Sequence, residues 1–200
     1  MPIASAGFVI TVLIVDDTRE RASALRECVV RAGGVRVACT LESPLELPDR
    51  IAEHRPDVVL IHVDSPSRDV LEQLAVVSST APRPVVMFTD DAHEESIRSA
   101  LKPGVSAYIV DGLAATRLEP IMKVAMERFE ADRRLRDELA STRVELADRK
   151  VIERAKGLLM KTRKMDEDQA FAALRSHAMD RGIKLSEAAR QVIEIARLLG

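Results

Sequence analysis

Five short apolar runs, rich in β-branched residues, punctuate the first half of the chain at 11–15, 35–40, 57–63, 84–89 and 107–110. Near-continuous apolar runs bounded by turn residues fit strands buried on both faces of a parallel sheet. Between them, at 18–31, 47–53, 70–79 and 93–101, apolar positions recur every three or four residues, as in helices packed on one side. Gly33-Gly34, Pro44, Pro48, Pro66 and Pro103-Gly104 supply the stops. Strand and helix alternating five times predict a doubly wound, five-stranded parallel sheet over 11–120. Its sites should lie at the C-terminal ends of the strands. Residues 1–10 read as a loose tail.

The pattern then changes. Helical spacing resumes at Leu113, and after Pro120 no Gly or Pro appears until Gly157. Leu135, Leu139, Thr142 and Leu146 step by 4, 3 and 4, a heptad seam. Arg133–Asp137 and Arg134–Glu138 add pairs on the outside. A coiled coil over 121–148 that joins two copies as a homodimer is expected. Phe129 is out of phase with the seam, and a single charged linker helix is the alternative. Residues 149–200 predict a small three-helix bundle. Its first helix ends near Arg163-Lys164. Asp166 is placed to cap the second, with Gln169 completing a capping box and Met165 as a hydrophobic staple. Ala170, Phe171, Leu174 and Ala178 form that helix's expected buried face, and Met179 is also assigned to core. Gly182 stops it. Ser186 is expected to cap the third helix, whose core would be Ala189, Val192, Ile193 and Ala196.

Charge divides the chain further. The net charge is −2. From Glu145 onward there are twelve Lys/Arg against nine Asp/Glu, leaving eighteen against twenty-three before it. An acidic N-terminal part is thus joined to a basic C-terminal part. The stretch 149–164, RKVIERAKGLLMKTRK, is lopsided when wound at 100° per residue. Lys150, Arg154, Lys161 and Lys164 share one stripe with Gly157, and Arg149, Lys156 and Arg163 form a second beside it. Val151, Ile152, Ala155, Leu158 and Leu159 fill the opposite arc. Such a helix packs on its apolar side and offers the other to a polyanion; a solvated face that only aids solubility is the competing reading. Arg175 joins the candidate set. Cys28 and Cys39 form no disulfide framework, and the four histidines (His54, His62, His93, His177) are scattered. No segment reads as a membrane span or signal peptide, so a cytoplasmic location is expected.

Three segments now carry a resemblance: VIERAKGLLM (151–160), MDEDQAFAALRSHAM (165–179) and KLSEAARQVI (184–193). In that order and spacing they resemble an ANTAR domain, the RNA-binding module of bacterial transcription antiterminators. The resemblance implies a dimer that binds paired stem-loops in leader RNA and prevents a terminator from forming. It places the RNA contacts on Arg149, Lys150, Arg154, Lys156, Lys161, Lys164 and Arg175.

The strand ends carry Asp16, Asp17, His62, Thr89 and Asp111. Paired acids after the first strand, a Thr after the fourth and Tyr108 in the fifth resemble a response-regulator receiver domain over about 10–125, a flavodoxin-like fold. In that family the acid pair and an Asp after the third strand hold magnesium. That Asp accepts a phosphoryl group, and a Lys after the fifth strand contacts the phosphate. Here the acceptor position, four residues before Pro66, holds His62, and the Lys position holds Asp111. Imidazole is a poor ligand for a hard cation, and Asp111 would repel a phosphoryl group. Asp64, two residues beyond His62, is the nearest other carboxylate. The expectation is a degenerate receiver site that works without phosphorylation and without a cofactor. Any magnesium would sit at Asp16 and Asp17, and a helix-capping role is the alternative for those two acids. No complete catalytic set accompanies His62, so no enzyme is expected. DSPSRDVLEQL (64–74) and SAYIVDGL (106–113) resemble the nitrate-responsive NasT type, which implies control of nitrate and nitrite assimilation genes through a ligand-sensing partner protein. A DNA-binding response regulator and a protein-interaction adaptor are the alternatives.

Overall fold

The computed structural model describes residues 9–111 and 114–199. Most of the expected tail and the expected helix start at Leu113 lie outside the described residues. The chain divides into two compact units, Met1–Arg133 and Arg134–Gly200.

The first unit is a five-stranded parallel sheet: β1 (Ile10–Asp16), β2 (Val35–Leu41), β3 (Val58–His62), β4 (Val85–Thr89) and β5 (Ala107–Val110), in the order β2-β1-β3-β4-β5. Four helices alternate with the strands: α1 (Arg19–Ala32), α2 (Leu47–His54), α3 (Arg68–Thr80) and α4 (Glu94–Leu101). The start of α5 (Ala115–Arg163) packs on the sheet as well. Strands β1 and β4 are buried along their whole length, as continuous apolar runs require, and the outer strand β2 is only partly covered. Side chains alternate between two cores. One joins Leu13, Val59, Ile61 and Met87 to α2 and α3, and the other joins Val12, Ile14, Leu60 and Phe88 to α1 and to Leu118, Met122 and Ala125 of α5. Phe129, out of phase with the seam, belongs to the sheet unit and is buried.

The strand order reverses between β1 and β3, where Asp16 and His62 are register partners. This is the place where a doubly wound sheet opens a crevice at its strand ends.

The second unit holds the remainder of α5, then α6 (Glu167–Arg181) and α7 (Leu185–Leu199). Asp166 caps α6 with the expected box: it accepts from the Gln169 amide at 2.7 Å, while the Gln169 side chain accepts from the Asp166 amide at 3.2 Å. Gly182 ends the helix in the left-handed region at φ 62°. The core is narrow, built on Ala155, Leu174, Ala189 and Ile193, with Val151, Ile152, Leu158, Leu159, Leu185 and Val192 around it.

Two expectations for this bundle are corrected. Ser186 is not a cap. Helix α7 starts at Leu185, the Lys184 carbonyl accepts its first bonds, and Ser186 is buried inside the first turn. Phe171 and Met179 are not core. The buried stripe of α6 is only Ala170, Leu174 and Ala178, leaving Phe171 40% and Met179 71% exposed. The stripe is one residue wide, so the large side chains on either side of it are left outside.

Candidate functional site

The candidate residues read from the sequence fall in two places, one in each unit. The first is the strand-end crevice. Asp16, the last residue of β1, is fully buried. One of its oxygens accepts from the Thr18 amide at 2.9 Å and so turns the chain into α1, whose N-cap is Thr18. The same oxygen receives Nε of Arg21 at 3.3 Å. Its other oxygen lies 3.0 Å from Nδ1 of His62, off the line of a good hydrogen bond, and neither atom has another partner. Arg21, in the first turn of α1, also contacts Asp17 through Nη2 at 2.5 Å and Asp64 through Nη1. One guanidinium therefore meets three carboxylates. Sequence reading missed Arg21. Its position four residues after Asp17 is the only hint, and that spacing is common on solvated helix faces.

The side chains around this crevice are also engaged. Thr89 is buried; its hydroxyl donates to the Asp64 carbonyl at 2.7 Å and accepts from the Asp91 amide at 3.1 Å. The Tyr108 hydroxyl donates to the Asp91 carbonyl at 2.8 Å, and burial raises its phenol above the ordinary value. The Asp91 carboxylate accepts from the Ser65 hydroxyl at 2.6 Å, the His93 amide at 2.9 Å and the Ser96 hydroxyl at 2.7 Å, and meets His93 Nδ1 at 2.7 Å. These donors, Ser65 first, hold its acidity well below the usual carboxylate range. Asp111 is exposed in the left-handed region at φ 46° and contributes no cation.

The magnesium site that the receiver resemblance implies does not fit these residues. Asp16 is committed to the Thr18 amide and Arg21, His62 replaces an oxygen donor, and a guanidinium already lies among the acids. Among the described residues, no three His, Cys, Asp or Glu side chains are arranged to hold a metal ion.

The second place is the end of α5. Arg149, Lys150, Arg154, Lys161, Arg163 and Lys164 are all exposed, and Lys164 closes the helix in the left-handed region at φ 54°. Among the described residues none of these six is in an ion pair. Gly157 is exposed between them, and a Cβ built there would meet nothing within 4 Å. Arg175 is exposed on α6. Lys156 is a correction: it is buried, at 8% exposure, and bridges Glu167 at 2.7 Å and Glu153 at 3.0 Å. The Glu167 hydrogen bond, then that of Glu153, raises its pKa, and Lys156 in turn lowers that of Glu167. It ties α5 to the first turn of α6 and is not a free cation. Arg190 of α7 is likewise paired, with Asp148 of α5 at 2.5 Å.

Comparison with known proteins places both units. Residues 12–123 match the response regulator receiver domain, and residues 140–193 match the ANTAR domain. The transcriptional regulatory protein PdtaR of Mycobacterium tuberculosis is 33% identical over 141 residues, 70% of this chain and 69% of that protein. The nitrate regulatory protein of Klebsiella oxytoca is 33% identical over 88 residues, 44% of this chain but 22% of that protein. Among solved structures, the signal receiver domain of a modulated diguanylate cyclase from Desulfovibrio desulfuricans G20 aligns with TM-score 0.54 at 22% identity, over 62% of this chain and 98% of that one. That likeness supports the fold of the first unit alone. No helix among the described residues is long and apolar enough to cross a membrane. Two family matches in sequence order, together with a relative 33% identical over 70% of this chain, settle the assignment: the chain belongs to the response regulators that join a receiver domain to an ANTAR domain.

Proposed function

We propose that this chain is a cytoplasmic, RNA-binding transcription antiterminator, active as a homodimer and controlled by a partner protein rather than by phosphorylation. The proposal divides it into a tail at 1–10, a receiver-like domain at 11–120, a dimerisation helix at 121–148 and an RNA-binding domain at 149–200. The observation that carries it is the row of exposed cations at Arg149, Lys150, Arg154, Lys161 and Lys164, without ion-pair partners among the described residues, inside a segment that matches the ANTAR domain. Counter-charge from phosphates is what such a row lacks. Arg175 on α6 is assigned to the same contact. Dimerisation is supported by Leu135, Leu139 and Leu146, which are about half exposed or more on α5. Leucines repeating at heptad spacing on an exposed helix fit a second copy.

Partner control is supported by the crevice. The chain has His62 rather than a carboxylate at the acceptor position, Asp16, Asp17 and Asp64 are paired with Arg21, and Asp111 rather than a lysine stands directly after β5. A receiver fold kept without that chemistry suits docking of a ligand-sensing protein, whose binding in one ligand state would control access to RNA. The nitrate regulatory protein among the relatives favours nitrate or nitrite as the ligand. A DNA-binding regulator is the second reading. The basic row lies on the helix that carries the leucine seam rather than on a free recognition helix, which favours RNA. The test compares a two-hairpin leader RNA with duplex DNA of equal charge. Tighter binding of the RNA at matched salt is expected, and equal or tighter binding of the DNA refutes the proposal.

A further inference from the structure

We infer that Arg21 is a built-in counter-ion at the ends of β1 and β3, a guanidinium standing where a receiver site would take a divalent metal, so that this acid cluster is held together without metal ions.

Asp16, Asp17 and Asp64 all come within ion-pair distance of one side chain. Three carboxylates at the neighbouring ends of β1 and β3 repel each other, and Asp16 is fully buried, where an unbalanced charge is most costly. Some cation has to balance them. Guanidinium is suited because it is planar, carries five N–H donors and stays charged at any working pH. Each of its three nitrogens reaches a different carboxylate: Nε to Asp16, Nη1 to Asp64 and Nη2 to Asp17. The side chain is about three-quarters buried, so its contact with the buried Asp16 is shielded from bulk water, while Asp17 and Asp64 meet it from the exposed side.

Geometry closes the site to a metal as well. The Asp16 oxygen nearest Arg21 already accepts the Thr18 amide, and its other oxygen faces the His62 imidazole. A hard divalent cation needs several oxygens at once. To obtain them it would have to expel Arg21, and until then its two positive charges would lie close to a third. The clamp also has a mechanical result. It fastens the first turn of α1 to the segment after β3, across the point where the strand order reverses.

The test uses the full-length chain and two readouts. The first is titration with Mn2+ followed by electron paramagnetic resonance. The parent chain is expected to bind no Mn2+ at this site; a stoichiometric Mn2+ that Asp16→Asn removes would overturn the inference. The second is a thermal double-mutant cycle between Arg21→Gln and Asp64→Asn. Alone, each should lower Tm, Arg21→Gln by roughly 5–10 °C. In the Arg21→Gln background the sign should reverse, with Asp64→Asn raising Tm because it removes an uncompensated charge. Asp64→Asn acting the same way in both backgrounds sinks the inference. If Arg21→Gln does not fold, Arg21→Lys replaces it in the cycle. A single ammonium keeps the charge but not the three-way fork, so a folded variant with a Tm below the parent's and no Mn2+ bound is expected. A lysine variant as stable as the parent would show that the fork is not needed and would overturn the assignment.

Discussion

The crevice at the ends of β1 and β3 and the end of α5 are both dense in charge, but they resolve it in opposite ways. In the crevice, the acids nearest the centre find a cation inside the same unit: Arg21 meets Asp16, Asp17 and Asp64. At the end of α5, six cations stand exposed with no ion-pair partner among the described residues, and the one that has acids, Lys156, is buried. Charge satisfied internally holds structure together, and charge left open waits for something to meet it. The acid cluster of the first unit is thus balanced from within, while in the second unit, among the described residues, only Lys156 and Arg190 are balanced in that way and the exposed row is what the proposed RNA contact would use.

The largest effect is expected where recognition depends on two copies. Leu135→Asp with Leu139→Asp puts like charges into the proposed seam. Sedimentation should show monomers, and affinity for a two-hairpin RNA should fall by roughly 10²–10⁴ as simultaneous engagement is lost. A parent chain that is already monomeric at micromolar concentration, with and without RNA, would break the proposal.

The next effect separates open charge from closed charge on one helix. Replacing Lys150, Arg154 and Lys161 together with Ala should flatten the slope of log affinity against log salt by roughly 0.7–0.9 for each phosphate no longer neutralised. Lys156→Met should instead lower Tm and leave that slope unchanged in the folded protein. A slope that falls with Lys156→Met and not with the triple variant would reverse the roles of the two groups.

A smaller effect sharpens the crevice side. The Asp91 carboxyl is depressed by its Ser65, His93 and Ser96 donors, so its stabilisation is present above its ordinary pKa of 3.8 and is lost as pH falls below that value. Asp91→Asn should therefore lower Tm near neutral pH, and the gap from the parent should narrow in acid. A gap independent of pH would show that hydrogen bonds to the side chain matter there and its charge does not.

The smallest expected effect is none. Incubation with acetyl phosphate and magnesium should leave the intact mass unchanged. A stoichiometric, acid-labile phosphoryl group, absent from Asp64→Asn, would mean that Arg21 yields the site and that Asp64 serves as a displaced acceptor.

The sheet was legible because burial on both faces leaves strands such as β1 and β4 little but apolar residues. The capping box at Asp166 was legible because it is local. Ser186 was a local miss, because α7 starts one residue before it; the other misses depend on what lies across space. Nothing in helical periodicity says that the first turn of α6 will lie over Lys156, so it looked like a member of the basic stripe. Phe171 sits at core spacing, but α6 packs through Ala170, Leu174 and Ala178 and leaves it outside. Arg21 looked like an ordinary surface residue until the segment after β3 brought Asp64 to it.

Gly157 marks where the open side of that contrast has room to spare. A glycine inside a helix costs about 1 kcal/mol relative to alanine, and here no neighbouring atom of the chain forbids an alanine. The basic stripe therefore has a notch at its middle, one side chain deep, with Arg154 before it and Lys161 after it. A ribose-phosphate backbone laid across the stripe can come nearer to the helix axis there than at any residue with a side chain. The same notch makes Gly157→Ala a change that would firm the helix while narrowing the seat.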